Sequence, residues 1–206
     1  MTLSTYLLYL LAVTLLIVTP GPTMLMTVTN AVNLGPLRAL VSLAGALVAN
    51  FGIMMLSALG LGAVLVASGA AFTALKVIGA AYLIWLGVRT FRSTGGLQLT
   101  EADAPRGRSL FMQGVLVGAS NPKSLLFFTA FFPQFVDASA PFMPQFLVLA
   151  STFVVGDFVI LGAAAFGVGR VAPWLRQAHV VRWINRTCGG LFTLLGGMLL
   201  FSRRSA

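Results

Sequence analysis

Six stretches of this chain run for about 20 residues or more with few or no charges: Leu3–Leu34, Arg38–Val66, Phe72–Phe91, Leu110–Phe135, Phe142–Val168 and Val180–Phe201. A helix that spans a bilayer needs about 20 such residues. The runs are too long and continuous for the strands of a membrane barrel, which alternate apolar and polar residues over ~10 positions. Water as the surrounding solvent is excluded by composition. Only 8% of the 206 residues are charged and 58% are hydrophobic, whereas a soluble domain carries roughly 25% charged residues. The expected fold is an all-α integral membrane protein of six spans forming a single transmembrane domain over residues 1–206. The first run is longer than a signal peptide's apolar region and has no Lys or Arg before it, so it reads as the first membrane helix.

The net charge of +9 would suggest nucleic-acid binding in a soluble chain. Here the basic residues flank the apolar runs and set orientation. Six spans put both termini and the even loops on one side, with Lys76, Arg203 and Arg204. The odd loops carry Arg38, Arg89, Arg92, Arg106, Arg108, Arg170, Arg176, Arg182 and Arg186, nine against three. Basic loops stay in the cytoplasm, so both termini are expected outside, in a bacterial inner (plasma) membrane. Trp85, Trp174, Trp183, Tyr6 and Tyr9 lie near predicted span ends and fit an interfacial aromatic belt. With one cysteine (Cys188) and one histidine (His179), the chain can form no internal disulfide and offers too few ligands for a soft-metal cluster. No metal, cofactor or nucleic-acid partner is expected.

The one long polar stretch, Ser93–Ser109, splits the chain into repeat one (residues 1–92) and repeat two (110–206), joined by a cytoplasmic linker (93–109). The halves show a faint likeness. A shift of 110 sets Lys76 on Arg186, Gly79 on Gly189, Gly87 on Gly197 and Phe91 on Phe201, and a shift of 100 sets Pro22 on Pro122. An odd number of spans per half would make related halves an inverted repeat, an architecture frequent in secondary transporters.

Prolines fall in the middle of two predicted helices. Leu3–Leu34 would be about 48 Å long as a straight helix at ~1.5 Å per residue, yet Thr19-Pro20-Gly21-Pro22 sits near its centre. Pro20 cannot donate to the Leu16 carbonyl, nor Pro22 to that of Val18, and Gly21 is expected to permit a sharp turn. In the fourth run, Ser120-Asn121-Pro122-Lys123 repeats the device and frees the Gly118 carbonyl. Irregular backbone at membrane depth survives only where it is buried in protein or lines a cavity. Paired breaks in two halves are the best sequence pointer to a transporter's binding site.

Three of these segments, "TPGP", "GALVANFGIMMLSALGLGAVL" and "GxxxxxxNPKSLLFFTAFFPQF", resemble the lysine exporter (LysE/RhtB) family of amino-acid efflux transporters over essentially the whole chain. The resemblance implies export of amino acids or related small molecules driven by the proton motive force. By motif it carries Pro20, Gly21, Pro22, Asn121, Pro122 and Lys123 over as functional positions. Family members often have an acidic residue in the second helix where this chain has Asn50.

Two charged side chains lie deep in predicted spans. Lysine at the bilayer centre costs roughly 2.5–3.5 kcal/mol on insertion scales, so Lys123 needs a partner: Asp157, a substrate carboxylate, or carbonyls freed at the breaks. Asp157, midway along the fifth run, is the candidate proton-coupling residue, or else one half of a fixed ion pair with Lys123. Asn50 either binds substrate or cross-links helices. The expected substrate site is Thr19, Pro20, Gly21, Pro22, Asn50, Asn121, Pro122 and Lys123. There the half-helix N–H groups at Thr23–Met24 and Lys123–Ser124, with the Lys123 charge, would hold a carboxylate. Gly114 and Gly118 form GxxxG, which serves packing within the chain or association of copies. The reading is a secondary-active exporter of neutral or small amino acids of the threonine or homoserine type, with protons, the substrate and membrane lipid as partners. Export or channelling of another small solute or a metal cation is the alternative, and a membrane enzyme is disfavoured by the lack of a catalytic constellation.

Overall fold

The computed structural model describes residues 1–67, 69–93, 107–137 and 139–201. The linker expected over 93–109 lies outside them apart from its ends. The described residues are helical, with no strand among them. In chain order they form α1 (Leu3–Val18), α2 (Pro22–Leu34), α3 (Pro36–Ala67), α4 (Gly69–Arg92), α5 (Gly107–Ser120), α6 (Pro122–Leu126), α7 (Phe142–Phe166), α8 (Val168–Arg176) and α9 (Ala178–Phe201). Among these residues, α7 and the Pro36–Ala58 part of α3 are each long and apolar enough to cross a membrane alone. The bent pair α1–α2, which turns by 51°, makes a third candidate if it is one span.

Each sequence break falls where a proline removes a donor. α1 stops at Val18 and α2 starts at Pro22. α5 stops at Ser120 and α6 starts at Pro122. Beyond α6 the fourth segment loosens into a π-helical turn, Phe127–Phe131, and a 3-10 turn, Phe132–Phe135. Pro133 explains this. It cannot donate to the Thr129 carbonyl, so the Phe132 N–H reaches back five residues to Phe127. The Ser57 hydroxyl donates to the Phe128 carbonyl at 2.6 Å. α8 was not anticipated. It is a short helix containing Pro173, set in what reads from sequence as the loop between the fifth and sixth runs.

Helices in lipid associate through close packing of small residues, since lipid is as apolar as a leucine side chain. A Cβ on Gly114 of α5 would lie 1.8 Å from the Ser42 carbonyl oxygen of α3, and one on Gly118 would lie 2.8 Å from that of Ala46. The GxxxG motif therefore packs within the chain. Its contacts climb both helices together, so α3 and α5 run parallel. α4 and α9 are zipped by glycine too, but antiparallel. A Cβ on Gly87 would meet the Gly189 oxygen at 2.6 Å, and one on Gly196 would meet that of Ala80 at 2.9 Å.

The core is aromatic. Phe127, Phe128 and Phe132 are fully buried beside Phe146 and Phe153, with ring centroids of Phe128 and Phe153 at 4.7 Å. Tyr9 belongs here rather than to the interfacial belt. It is fully buried, donates to the Leu149 carbonyl at 2.9 Å and packs on Phe135. It lies near the middle of α1, about two turns in from the start of the helix. The three tryptophans expected in the belt are exposed, as is His179, and Cys188 is buried in the core.

Candidate functional site

The two breaks meet. Asn121, between α5 and α6, is the hinge of the arrangement. Its Oδ1 accepts from the Lys123 N–H at 3.1 Å and caps α6, while its Nδ2 donates to Thr23 Oγ1 in the first turn of α2, also at 3.1 Å. Asn, Asp and Ser are the preferred helix caps because a short side-chain oxygen can reach an otherwise orphaned N–H. The Gly118 carbonyl freed by Pro122 accepts from Asn121 N–H at 3.3 Å.

Lys123 crosses from the second break to the first. Its ammonium donates to the Leu16 carbonyl and, at 2.7 Å, to the Thr19 carbonyl. Leu16 carries the oxygen that Pro20 cannot bond, so of the three partners weighed for this lysine the structure has the freed carbonyls. A cation at the C-terminal end of α1 also suits the negative end of the helix dipole. Gly21 makes room for it: a Cβ there would lie 3.2 Å from Lys123 Nζ. That corrects the expected role of Gly21. Its φ of −162° and ψ of 179° are extended values open to any residue, so it serves the approach of the lysine and not a sharp turn. The donors expected to face a carboxylate, Lys123 N–H and Nζ, are both bonded within the protein.

A cavity of about 260 Å³ opens from this junction. Thr19, Pro20, Gly21, Pro22, Asn121, Pro122 and Lys123 form its inner end. The rest comes from α4, the Ser93 that follows it, and α9, through Trp85, Arg89, Thr90, Ser93 and Asn185. Sequence reasoning missed these last five as site residues. In the sequence Arg89 serves only as an orientation marker, and Asn185, an amide in the sixth apolar run that is buried in the fold, is the signal that points to the α9 wall. Arg89 lies over the Trp85 ring, 5.1 Å from its centroid, and Asn185 Nδ2 donates to the Ser93 carbonyl at 3.4 Å.

Asn50 is elsewhere. It borders a second, much smaller cavity of about 20 Å³ that shares Asn121 and Lys123 with the first and is also lined by Thr23, Ser124 and Asp157. That is space for about one water molecule. Asn50 Oδ1 is buried and without a hydrogen-bond partner in the protein. Asp157 is 4% exposed, and no ion pair within 4 Å links it to Lys123. The one such pair among the described residues joins the Met1 amine to Asp137. The fixed Asp157–Lys123 pair is therefore not formed. A third polar cluster, also unanticipated, ties α2 to α3 and α5: Asn30 Nδ2 donates to Ser42 Oγ at 2.9 Å and to Gln113 Oε1 at 3.0 Å. No group of three or more metal-ligating side chains occurs among the described residues.

Broken helices whose ends converge on one cavity are the arrangement of a membrane transporter's binding site. The family description "LysE type translocator" matches residues 14–203; the chain belongs to that family. It is 37% identical over the full length of both chains to a homoserine/homoserine lactone efflux protein of Salmonella typhimurium. It is 30% identical, over 97% of its own length and 98% of the relative's, to an uncharacterised membrane protein of Vibrio cholerae. A Pseudomonas aeruginosa membrane protein is 34% identical over 82% of each chain. No solved structure shows significant similarity to the chain.

Proposed function

We propose that this protein is a secondary-active exporter of homoserine-type neutral amino acids and their lactones, moving them from the cytoplasm in exchange for protons. The observation that carries this reading is the junction itself. Two proline breaks from the two halves of the chain are joined by Asn121 and Lys123 at the inner end of one cavity. At about 260 Å³ it lies just below the ~300–1,000 Å³ usual for small-ligand sites, which suits a single amino acid. The six spans form two inverted three-helix repeats, with both termini outside the inner membrane. The parallel pairing of α3 with α5 and the antiparallel pairing of α4 with α9 agree with that order of spans. The cavity reaches the C-terminal end of α4 and the N-terminal half of α9, the ends assigned to the cytoplasm by their arginines. It would therefore receive substrate from inside. Thr19–Pro22, Asn121, Pro122 and Lys123 meet the substrate's polar end, and Asn50 acts from the inner cavity.

Asp157 is the coupling residue in this reading. An ionised carboxylate buried without a partner is strongly disfavoured, so the acid needs a proton or a neighbouring cation to stay where it is. Everted vesicles loaded by an imposed pH gradient test the proposal. Homoserine should accumulate in them, and Asp157→Asn should abolish accumulation while leaving the protein in the membrane. Accumulation that ignores the gradient, or survives in Asp157→Asn, would sink proton coupling. A C-terminal reporter active only in the cytoplasm should stay silent; activity would overturn the orientation.

A further inference from the structure

An ammonium group already sits at the junction, and it belongs to the protein. Lys123 Nζ donates to the Leu16 and Thr19 carbonyls across a gap of more than 100 residues of sequence. Those oxygens are available only because Pro20 brings no N–H and α1 ends at Val18. Gly21 keeps the space around the ammonium clear, since a side chain would begin 3.2 Å from the nitrogen and 3.4 Å from Cε. The same spot borders the 260 Å³ cavity. This is a cradle for a primary ammonium, closed on one side by protein and open on the other to a chamber of amino-acid size.

A second set of acceptors lines the smaller cavity that Lys123 also borders. Asn50 Oδ1, on a residue 1% exposed, has no partner in the protein. The Asp157 carboxylate is buried and makes no ion pair. Both line the small inner cavity, and Lys123 lines it as well as the large one. The lysine thus stands between two acceptor sets and can serve one at a time.

We propose that the Leu16 and Thr19 carbonyls are the ammonium subsite for the substrate, and that Lys123 fills it as a tethered surrogate until a substrate arrives. The incoming primary ammonium takes the two carbonyls, and the Lys123 ammonium moves to Asp157 and Asn50. Each cation then keeps acceptors from the protein, which a buried charge needs. Recognition falls on the amino group, which an amino acid and its lactone share, and not on the carboxylate, which the lactone lacks. The inference rests on the proposed substrate class for its ligand, and on the geometry of Lys123 for everything else.

The chain contains only two lysines, Lys76 and Lys123, which makes the exchange directly observable. Protein labelled with isotopes at its lysine side chains, in lipid nanodiscs, gives two ammonium-end resonances, and Lys76→Arg identifies that of Lys123. Homoserine lactone should shift the Lys123 resonance saturably. The hydroxy analogue, the same lactone ring bearing a hydroxyl in place of the amine, should leave it unmoved. Lys123→Met, with the surrogate removed, should bind the lactone several-fold more tightly than the unmodified protein. Export of homoserine lactone with an unmoved Lys123 resonance overturns the inference. So does an equal response to the hydroxy analogue, or weaker lactone binding by Lys123→Met. A moved Lys123 resonance without any export would sink the efflux reading and leave this one standing.

Discussion

The two proline breaks look alike in sequence and are built differently. The second is self-sufficient. Only Asn121 falls outside the helices; it caps α6 with its own side chain, and its own N–H takes up the freed Gly118 carbonyl. The first is three residues wide, bends the segment by 51°, and leaves carbonyls that nothing nearby in sequence can bond. Those of Leu16 and Thr19 depend on Lys123, and the Thr23 hydroxyl just past the break accepts from Asn121, both from the second break. One break is a donor of groups and the other a receiver. The receiver's carbonyls are met by a long side chain from the other break, which is what the proposed exchange of partners requires.

Lys123→Met should break the comparison most severely. It leaves the Leu16 and Thr19 oxygens without a donor from the protein, at about 1–3 kcal/mol for each unsatisfied group. The detergent-solubilised protein should melt roughly 5–20 °C lower, taking about 2–4 °C per kcal/mol for a chain of this size. Homoserine lactone should restore more of the melting temperature in this variant than it adds to the unmodified protein. A variant that melts unchanged would mean the first break does not depend on the second.

Proline removal sharpens the contrast by function. Pro20→Ala supplies an N–H that competes with Lys123 for the Leu16 oxygen, whereas at the second break the Gly118 oxygen already has the Asn121 N–H. Export by Pro20→Ala should fall about tenfold, the equivalent of one hydrogen bond to a charged group at ~1.5 kcal/mol. Pro122→Ala should lose distinctly less. Equal losses in initial efflux rate would show the two breaks to be equivalent. Asn121→Ala removes the α6 cap and the link to Thr23 together. It should destabilise the protein by about 1 kcal/mol, the usual cost of a lost cap, read as a melting shift smaller than that of Lys123→Met.

The breaks and the helices were legible because their causes are local. A proline lacks its donor wherever it sits, and apolar runs need no partner to be recognised. What Lys123 bonds to was open, since three acceptors were compatible with its position and only the crossing of two helices selects among them. The cavity walls were illegible for a related reason. Thr90 and Asn185 come from helices whose facing depends on the glycine contacts at Gly87 and Gly189, and composition alone does not say which way a helix turns. Tyr9 was misread because apolar runs with no charge carry no mark of which face meets lipid. α8 was missed because its Gly169 and Pro173 read as loop residues.

The smallest effect belongs to the opposite ends of the same two segments. There the Met1 amine, just before α1, lies 3.4 Å from the Asp137 carboxylate, just after the fourth segment. Asp137 also accepts from the Ser139 hydroxyl at 2.6 Å and the Ser139 N–H at 3.0 Å. These Ser139 donors hold its carboxyl below the ordinary carboxylate value, with the N-terminal ammonium a lesser cause. A group lowered in the folded state adds stability only while ionised. That contribution is complete above the ordinary carboxylate range near pH 4 and is lost as the pH falls through the lowered folded value. The group is exposed, so water and salt screen it and the contribution is small. The Asp137 backbone is held independently, by the Gln145 side chain at 2.9 Å and 3.0 Å. Asp137→Asn should therefore melt almost with the unmodified protein at pH 7, with any gap closing below pH 4 and narrowing in high salt. Export should not change, since the ends of the segments are anchored apart from the breaks. A loss of export as large as that of Pro20→Ala would mean that the outer ends are coupled to the junction, and that the donor–receiver asymmetry extends along the whole of both helices.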